Sequence, residues 1–156
     1  MTNVFLMILI MVSMQAHSQE LVGLKELISS KPLFFSKKND TQIIASRCSA
    51  LYLVLDSRSD EALHLNATQA LSSVYLDRAL VYNQVKEILS KADNTREISQ
   101  GQQKLFAKCY ADITMSNWKN YGDIFKGIVN DDLDVCEKNY SYYRKLALGL
   151  NKETKK

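Results

Sequence analysis

Two arginines stand where a folded chain rarely tolerates charge. Placed at 100° steps along a helix, Arg47 falls between Ile43 and Leu51, and Arg78 between Val74 and Val81, each inside an apolar stripe. A buried guanidinium with no partner is too costly to keep, so each must reach water, a carboxylate or an anionic ligand. Asp112 and Glu137 flank the facing stripes and are the candidate acids. Were both guanidiniums to line one interhelical pocket, they would fork onto a small anion, a carboxylate or phosphate, with Tyr52, Tyr75 or Tyr82 as hydroxyl donors. The plainer account is structural: long side chains that snorkel out at the stripe edge, or internal ion pairs.

Most other chemistry is excluded by what the chain lacks. Four of the five methionines and one of the two histidines precede residue 19, which leaves Met115 and His64. A histidine-rich zinc site cannot be built from one histidine, a haem-attachment CxxCH is absent, and a Ser/His/Asp triad would have to use His64. That residue sits in the polar junction SDEALHLNAT, where surface exposure accounts for it. The run NDDLD, residues 130–134, has the alternating acids of a calcium loop. Val135 stands where glycine is needed and Ser141 where a bidentate Glu is needed, so the run is better explained as acids favouring a helix N-terminus. No cofactor and no metal are therefore expected. An enzyme would have to work without histidine, from Arg47, Arg78 and carboxylates such as Asp112, and would need a carboxylate with a raised pKa beside a cleft.

The N-terminus speaks for compartment. An apolar run from Val4 to Met14 is followed by Ala16, His17 and Ser18, the pattern of a secretory signal peptide cleaved after Ser18. At 11 residues the run is short for a bilayer, which needs about 20, so no stable membrane anchor is expected after cleavage. Residues 19–156 suffice for one domain with a real core. A net charge of +3 spread along the chain is no footprint for nucleic acid, which wants clustered Lys and Arg. The reading is an exported protein, periplasmic or secreted, and the short, spare chain favours a bacterial source. Sequons begin at Asn39, Asn66 and Asn139, and would matter in a eukaryotic secretory pathway.

Cys48, Cys109 and Cys136 all lie on apolar stripes, and an exported protein meets an oxidising environment. Only one intramolecular disulfide can form. Chain entropy does not choose it, giving roughly 3.6 kcal/mol for Cys109 with Cys136 and roughly 4.6 kcal/mol for Cys48 with Cys136. In an up-down-up-down bundle the first and third helices are diagonal, which disfavours Cys48 with Cys109. Counting about 1.5 Å per residue puts Cys109 and Cys136 at similar levels, so that pair is expected, with Cys48 to Cys136 the alternative. The leftover thiol, Cys48, would be a buried small hydrophobe or, if reachable, a site of assembly.

The elements that position these groups are helices. There is one proline, Pro32, and there are five glycines. Residues 19–38 read as a short helix ending before Pro32, followed by a connector. Asn39 and Gln42 form a possible capping box opening a helix to about Ser57, with Ile43, Ile44, Cys48, Leu51, Val54 and Leu55 on one face. A second helix, about Ala67 to Ala92, carries Leu71, Val74, Tyr75, Val81, Tyr82, Val85, Ile88 and Leu89. Asn94 and Glu97 form another capping box for a helix to about Asn117, and NWKNYGDIFKGIV reads as a short helix over 118–128. The last helix begins near Asp131 with Leu133, Cys136, Tyr140, Tyr143 and Ala147 in phase. The tail, residues 151–156, is basic and frayed.

The fold class implied is all-α: a small antiparallel bundle of four to five amphipathic helices, over residues 39–150, with one disulfide. The function implied is a non-enzymatic binding or accessory protein that engages an unknown protein partner or a small anion. Exposed aromatics at Trp118 and Tyr142 are the candidates for a partner surface.

Overall fold

A computed structural model of the chain describes residues 21–30, 38–58, 70–94 and 96–153. The signal segment, His64, the sequon at Asn66 and the last three residues lie outside them. Among the described residues five helices pack together: α1 (Leu24–Ser30), α2 (Lys38–Ser57), α3 (Ala70–Asp93), α4 (Arg96–Tyr121) and α5 (Ile128–Glu153). No strand occurs among the described residues.

The arrangement is organised around α2. Every residue from Ile44 to Tyr52 is buried, more than two full turns, so this helix turns no face to solvent there. Its sequence explains why. Ala45, Ser46, Ser49 and Ala50 alternate with Ile44, Leu51 and Leu55, and the small side chains let neighbouring helices approach on several sides at once. Helices α3 and α4 both pack along α2, α5 lies chiefly on α3, and α1 lies against α5.

This placement corrects the expected disulfide. Helices α2 and α4, expected to be diagonal, are direct neighbours, whereas α4 and α5 barely meet despite being consecutive. Cys136 therefore bonds Cys48 across the core, with Cα atoms 5.7 Å apart, and not Cys109. Both partners are fully buried. The free thiol is Cys109, half-buried beside Leu27, Ile43 and Phe106.

Three local expectations are also revised by the backbone. Asn94 adopts a left-handed φ of 55°, which closes α3 and is incompatible with opening α4 as an N-cap. Gln42 does not serve a capping box, since α2 begins at Lys38 and the Gln42 amide donates to Ser90 Oγ at 3.0 Å. No separate helix forms over 118–128. Instead α4 runs on to Tyr121 and is stopped by Gly122, whose φ of 65° lets its N–H reach the Trp118 carbonyl at 2.9 Å. The following loop is held by Asn117, which donates to the carbonyls of Ile124 (3.2 Å) and Lys126 (3.0 Å).

The face of α3 is rotated from the predicted stripe. Tyr82, Val85 and Leu89 are buried as expected, but Ala79, Lys86 and Ser90, outside the predicted stripe, are buried with them, while Val74, inside it, is exposed. Packing on a helix rich in Ser and Ala is decided by close approach. Small and polar residues of α3 consequently take the inner positions.

Candidate functional site

Arg47 is buried, and its charge is met inside the fold. Its Nη2 donates to Asp132 Oδ2 at 2.5 Å, and the side chains are 4% and 0% exposed. The Nη1 atom donates to the Val22 carbonyl at 2.5 Å, and Nε and Nη2 reach the Tyr110 hydroxyl at 3.3 and 3.2 Å. Tyr110 in turn donates to Asp132 Oδ2, while Asp132 Oδ1 accepts the Leu24 N–H at 2.5 Å. The guanidinium also lies 5.6 Å from the Phe106 ring centre. All three nitrogens of Arg47 and both oxygens of Asp132 are thus engaged. Burial, then the Asp132 charge, pushes the Tyr110 hydroxyl pKa far above its usual range. The cluster draws on four helices: α2 supplies Arg47, α4 Tyr110, α5 Asp132, and the start of α1 the Leu24 amide.

Arg78 ends on another carboxylate. Its Nε and Nη2 fork onto Glu137 Oε1 (2.6 Å) and Oε2 (2.8 Å), the bidentate geometry that suits a guanidinium. The Tyr52 hydroxyl donates to the same Oε1 at 2.8 Å, and the Tyr140 ring lies 4.6 Å beneath the guanidinium. This pair is partly wet, with side chains 23% and 38% exposed. The Glu137 hydrogen bond raises the Arg78 pKa, and burial, then the Glu137 bond, raises that of Tyr52. Behind it lies a tyrosine stack beside the disulfide: Tyr82 stands 5.9 Å from Tyr52 and 4.8 Å from Tyr143, and its hydroxyl donates to the Cys136 carbonyl at 2.5 Å. The Tyr143 hydroxyl is buried with no partner among the described residues.

The two arginines therefore do not line one pocket. Among the described residues they share no hydrogen-bond partner, and each is neutralised by its own acid on α5. Tyr52 does meet Arg78's acid, and Tyr82 stacks on Tyr52, but neither hydroxyl faces Arg47. Asp112 is exposed on α4. Trp118 is half-buried against the core and Tyr142 is 54% exposed, packed edge-on against Tyr143. They do not form one patch: Tyr142 lies about 20 Å along α5 from the end nearest Trp118.

A site not anticipated from the sequence lies between α3 and α4. Joined by the turn at Asn94, these helices diverge over α2 and leave a groove of about 440 Å³ with Ser49 and Leu53 among its lining. At its polar end Lys86, only 2% exposed, donates to Gln103 Oε1 and pairs with Glu87 Oε1 at 3.1 Å. Gln103 Nε2 donates to Ser49 Oγ (2.8 Å) and Asn83 Oδ1 (3.4 Å). At its apolar end Leu53 and Leu80 are exposed. The missed residues carried a legible signal, since Lys86 follows Tyr82 by one turn and Asp132 precedes Cys136 by one turn, each in phase with a buried stripe.

No family model matches the chain, and no curated protein or solved structure matches it. Among the described residues no group of three or more potential ligands could hold a metal ion, and no helix is long and apolar enough to cross a membrane.

Two outcomes follow from the networks. Asp132→Asn leaves the Arg47 charge buried without its counter-ion and should lower the unfolding free energy by about 3 kcal/mol or more in urea denaturation. Arg78→Met, at the partly solvated pair, should cost no more than about 1 kcal/mol. Separately, burial holds Tyr52, Tyr82, Tyr110 and Tyr143 neutral in the fold, above their ordinary pKa of 10.0. A raised folded-state pKa contributes stability that is complete below the unfolded value and is lost as pH rises above it. Stability should thus fall above about pH 10, with the phenolate absorbance of these tyrosines appearing together with loss of helical circular dichroism.

Proposed function

We propose that the chain is an exported, non-enzymatic binding or accessory protein, working in an oxidising compartment such as a bacterial periplasm or outside the cell. The observation that carries this reading is the closure of both arginine networks. Catalysis needs a group left free to act on substrate, whereas Arg47 and Arg78 are already held by Asp132 and Glu137. The buried Cys48–Cys136 bond, with the predicted signal segment, supports export, because such bonds persist where the environment is oxidising.

Binding capacity remains in the groove between α3 and α4. It combines exposed leucines with a buried ammonium group, a combination suited to orienting a ligand rather than transforming it.

The reading is tested against an arginine-based anion pocket by following the melting temperature of the mature protein in increasing phosphate at constant ionic strength. The expected result is no saturable shift, and the same flat response in Arg78→Met. A saturable rise in melting temperature that disappears in Arg78→Met would replace the proposal with an anion-binding site at Glu137 and Tyr52.

A further inference from the structure

Building on the binding-protein reading, we propose that the groove between α3 and α4 takes an amphiphilic monocarboxylate, a medium-chain apolar acid. Its carboxylate lies on Lys86 and Asn83, and its tail runs over Leu53 and Leu80.

The polar end provides donors that the fold does not use up. An ammonium carries three N–H donors, and among the described residues Lys86 has two partners, Gln103 Oε1 and Glu87 Oε1. Asn83 accepts from Gln103 through Oδ1, which leaves its amide N–H groups to donate. Ser49 and Gln103 are occupied with each other, with Ser49 also donating to the Ala79 carbonyl at 3.2 Å. They fix the end wall and the position of the Lys86 head.

Charge selects an anion over a cation. The groove is lined by Lys86 and Lys104 against one acid, Glu87, which is already paired with Lys86. A lysine 98% withdrawn from solvent is costly to keep, and a carboxylate brought to it is worth more there than on an open surface. The rest of the lining selects an apolar body. Leu53 is 40% and Leu80 59% exposed, and Ala79 and Ala107 complete the walls. The groove's volume of about 440 Å³ is of small-molecule size.

The test is titration of the isotopically labelled mature protein with decanoate below its micellar range, read by amide chemical shifts, with decanol and decylammonium as matched probes. Decanoate should give saturating shifts at the side-chain amides of Asn83 and Gln103 and at the backbone of Leu53 and Leu80. Decanol should bind at least about tenfold more weakly, the loss of one charge-assisted contact, and decylammonium should not saturate. Lys86→Met should abolish the preference for decanoate over decanol. Because Lys86 is buried and its replacement could unsettle the groove, Leu80→Asp, at an exposed position, provides a second arm and should weaken decanoate by a similar factor while leaving the melting temperature unchanged. No saturable shift, equal affinity for decanoate and decanol, or shifts confined to the pocket at Leu27, Phe106 and Cys109 would each overturn the assignment. The expected shifts at Asn83, Gln103, Leu53 and Leu80 involve neither Arg47 nor Arg78, so failure here is distinguishable from failure of the phosphate experiment.

Discussion

The interaction on which the fold depends is the ion pair between Arg47 and Asp132. A guanidinium and a carboxylate withdrawn from water carry a desolvation cost of several kcal/mol each, and only close geometry with further hydrogen bonds offsets it. Here the offset recruits four helices: Tyr110 of α4 bridges the two charges, and Asp132 of α5 accepts the first amide of α1 while pairing with α2. The consequence is specificity of arrangement. Any packing that shifts α5 along α2 by one turn would part the charges and leave both buried and unpaired.

On another side of α2 a softer seam completes the core. Cys48 bonds Cys136, Tyr82 donates to the Cys136 carbonyl, and the ring stack continues outward to the half-wet Arg78–Glu137 pair. Burial is graded along this seam, from a fully enclosed sulfur bridge to a bidentate ion pair in contact with solvent. With one seam between α2 and α5 made of charge and the other of sulfur and aromatic rings, α5 is fixed at two levels. Helix α4 meets α5 at little more than the Tyr110–Asp132 hydrogen bond, and α3 and α4 are left to diverge and expose the groove.

Much of the helix content was legible from spacing, because apolar residues in α2, α3 and α5 recur at helical intervals and the single proline sits near the N-terminal end. The expectation that buried arginines must find carboxylates also had force, and Glu137 was among the acids named. Asp132 was not, because an acid near a helix start already has a local explanation in the helix dipole, and local explanations hide long-range pairings. The disulfide pairing and the groove failed for a related reason: both depend on which helices are neighbours. Amphipathic stripes state that a helix is buried on one side. They do not state that α2 is buried on every side from Ile44 to Tyr52, and that property makes α2 and α4 adjacent, moves Cys109 out of reach of Cys136, and brings Lys86 inward beside Ser49.

The central claim is that Asp132 ties α1 to the bundle as well as neutralising Arg47. A helix of seven residues has little stability of its own, so its first amide should be protected only if Asp132 holds it. Native-state hydrogen exchange of the Leu24 amide measures this directly. The account predicts exchange as slow as that of the amides of Cys48 to Leu51 in α2, released only by global unfolding. Exchange of Leu24 at the rate of an unprotected amide, while α2 remains protected, would contradict it and reduce the Arg47–Asp132 pair to a contact that leaves α1 unsecured.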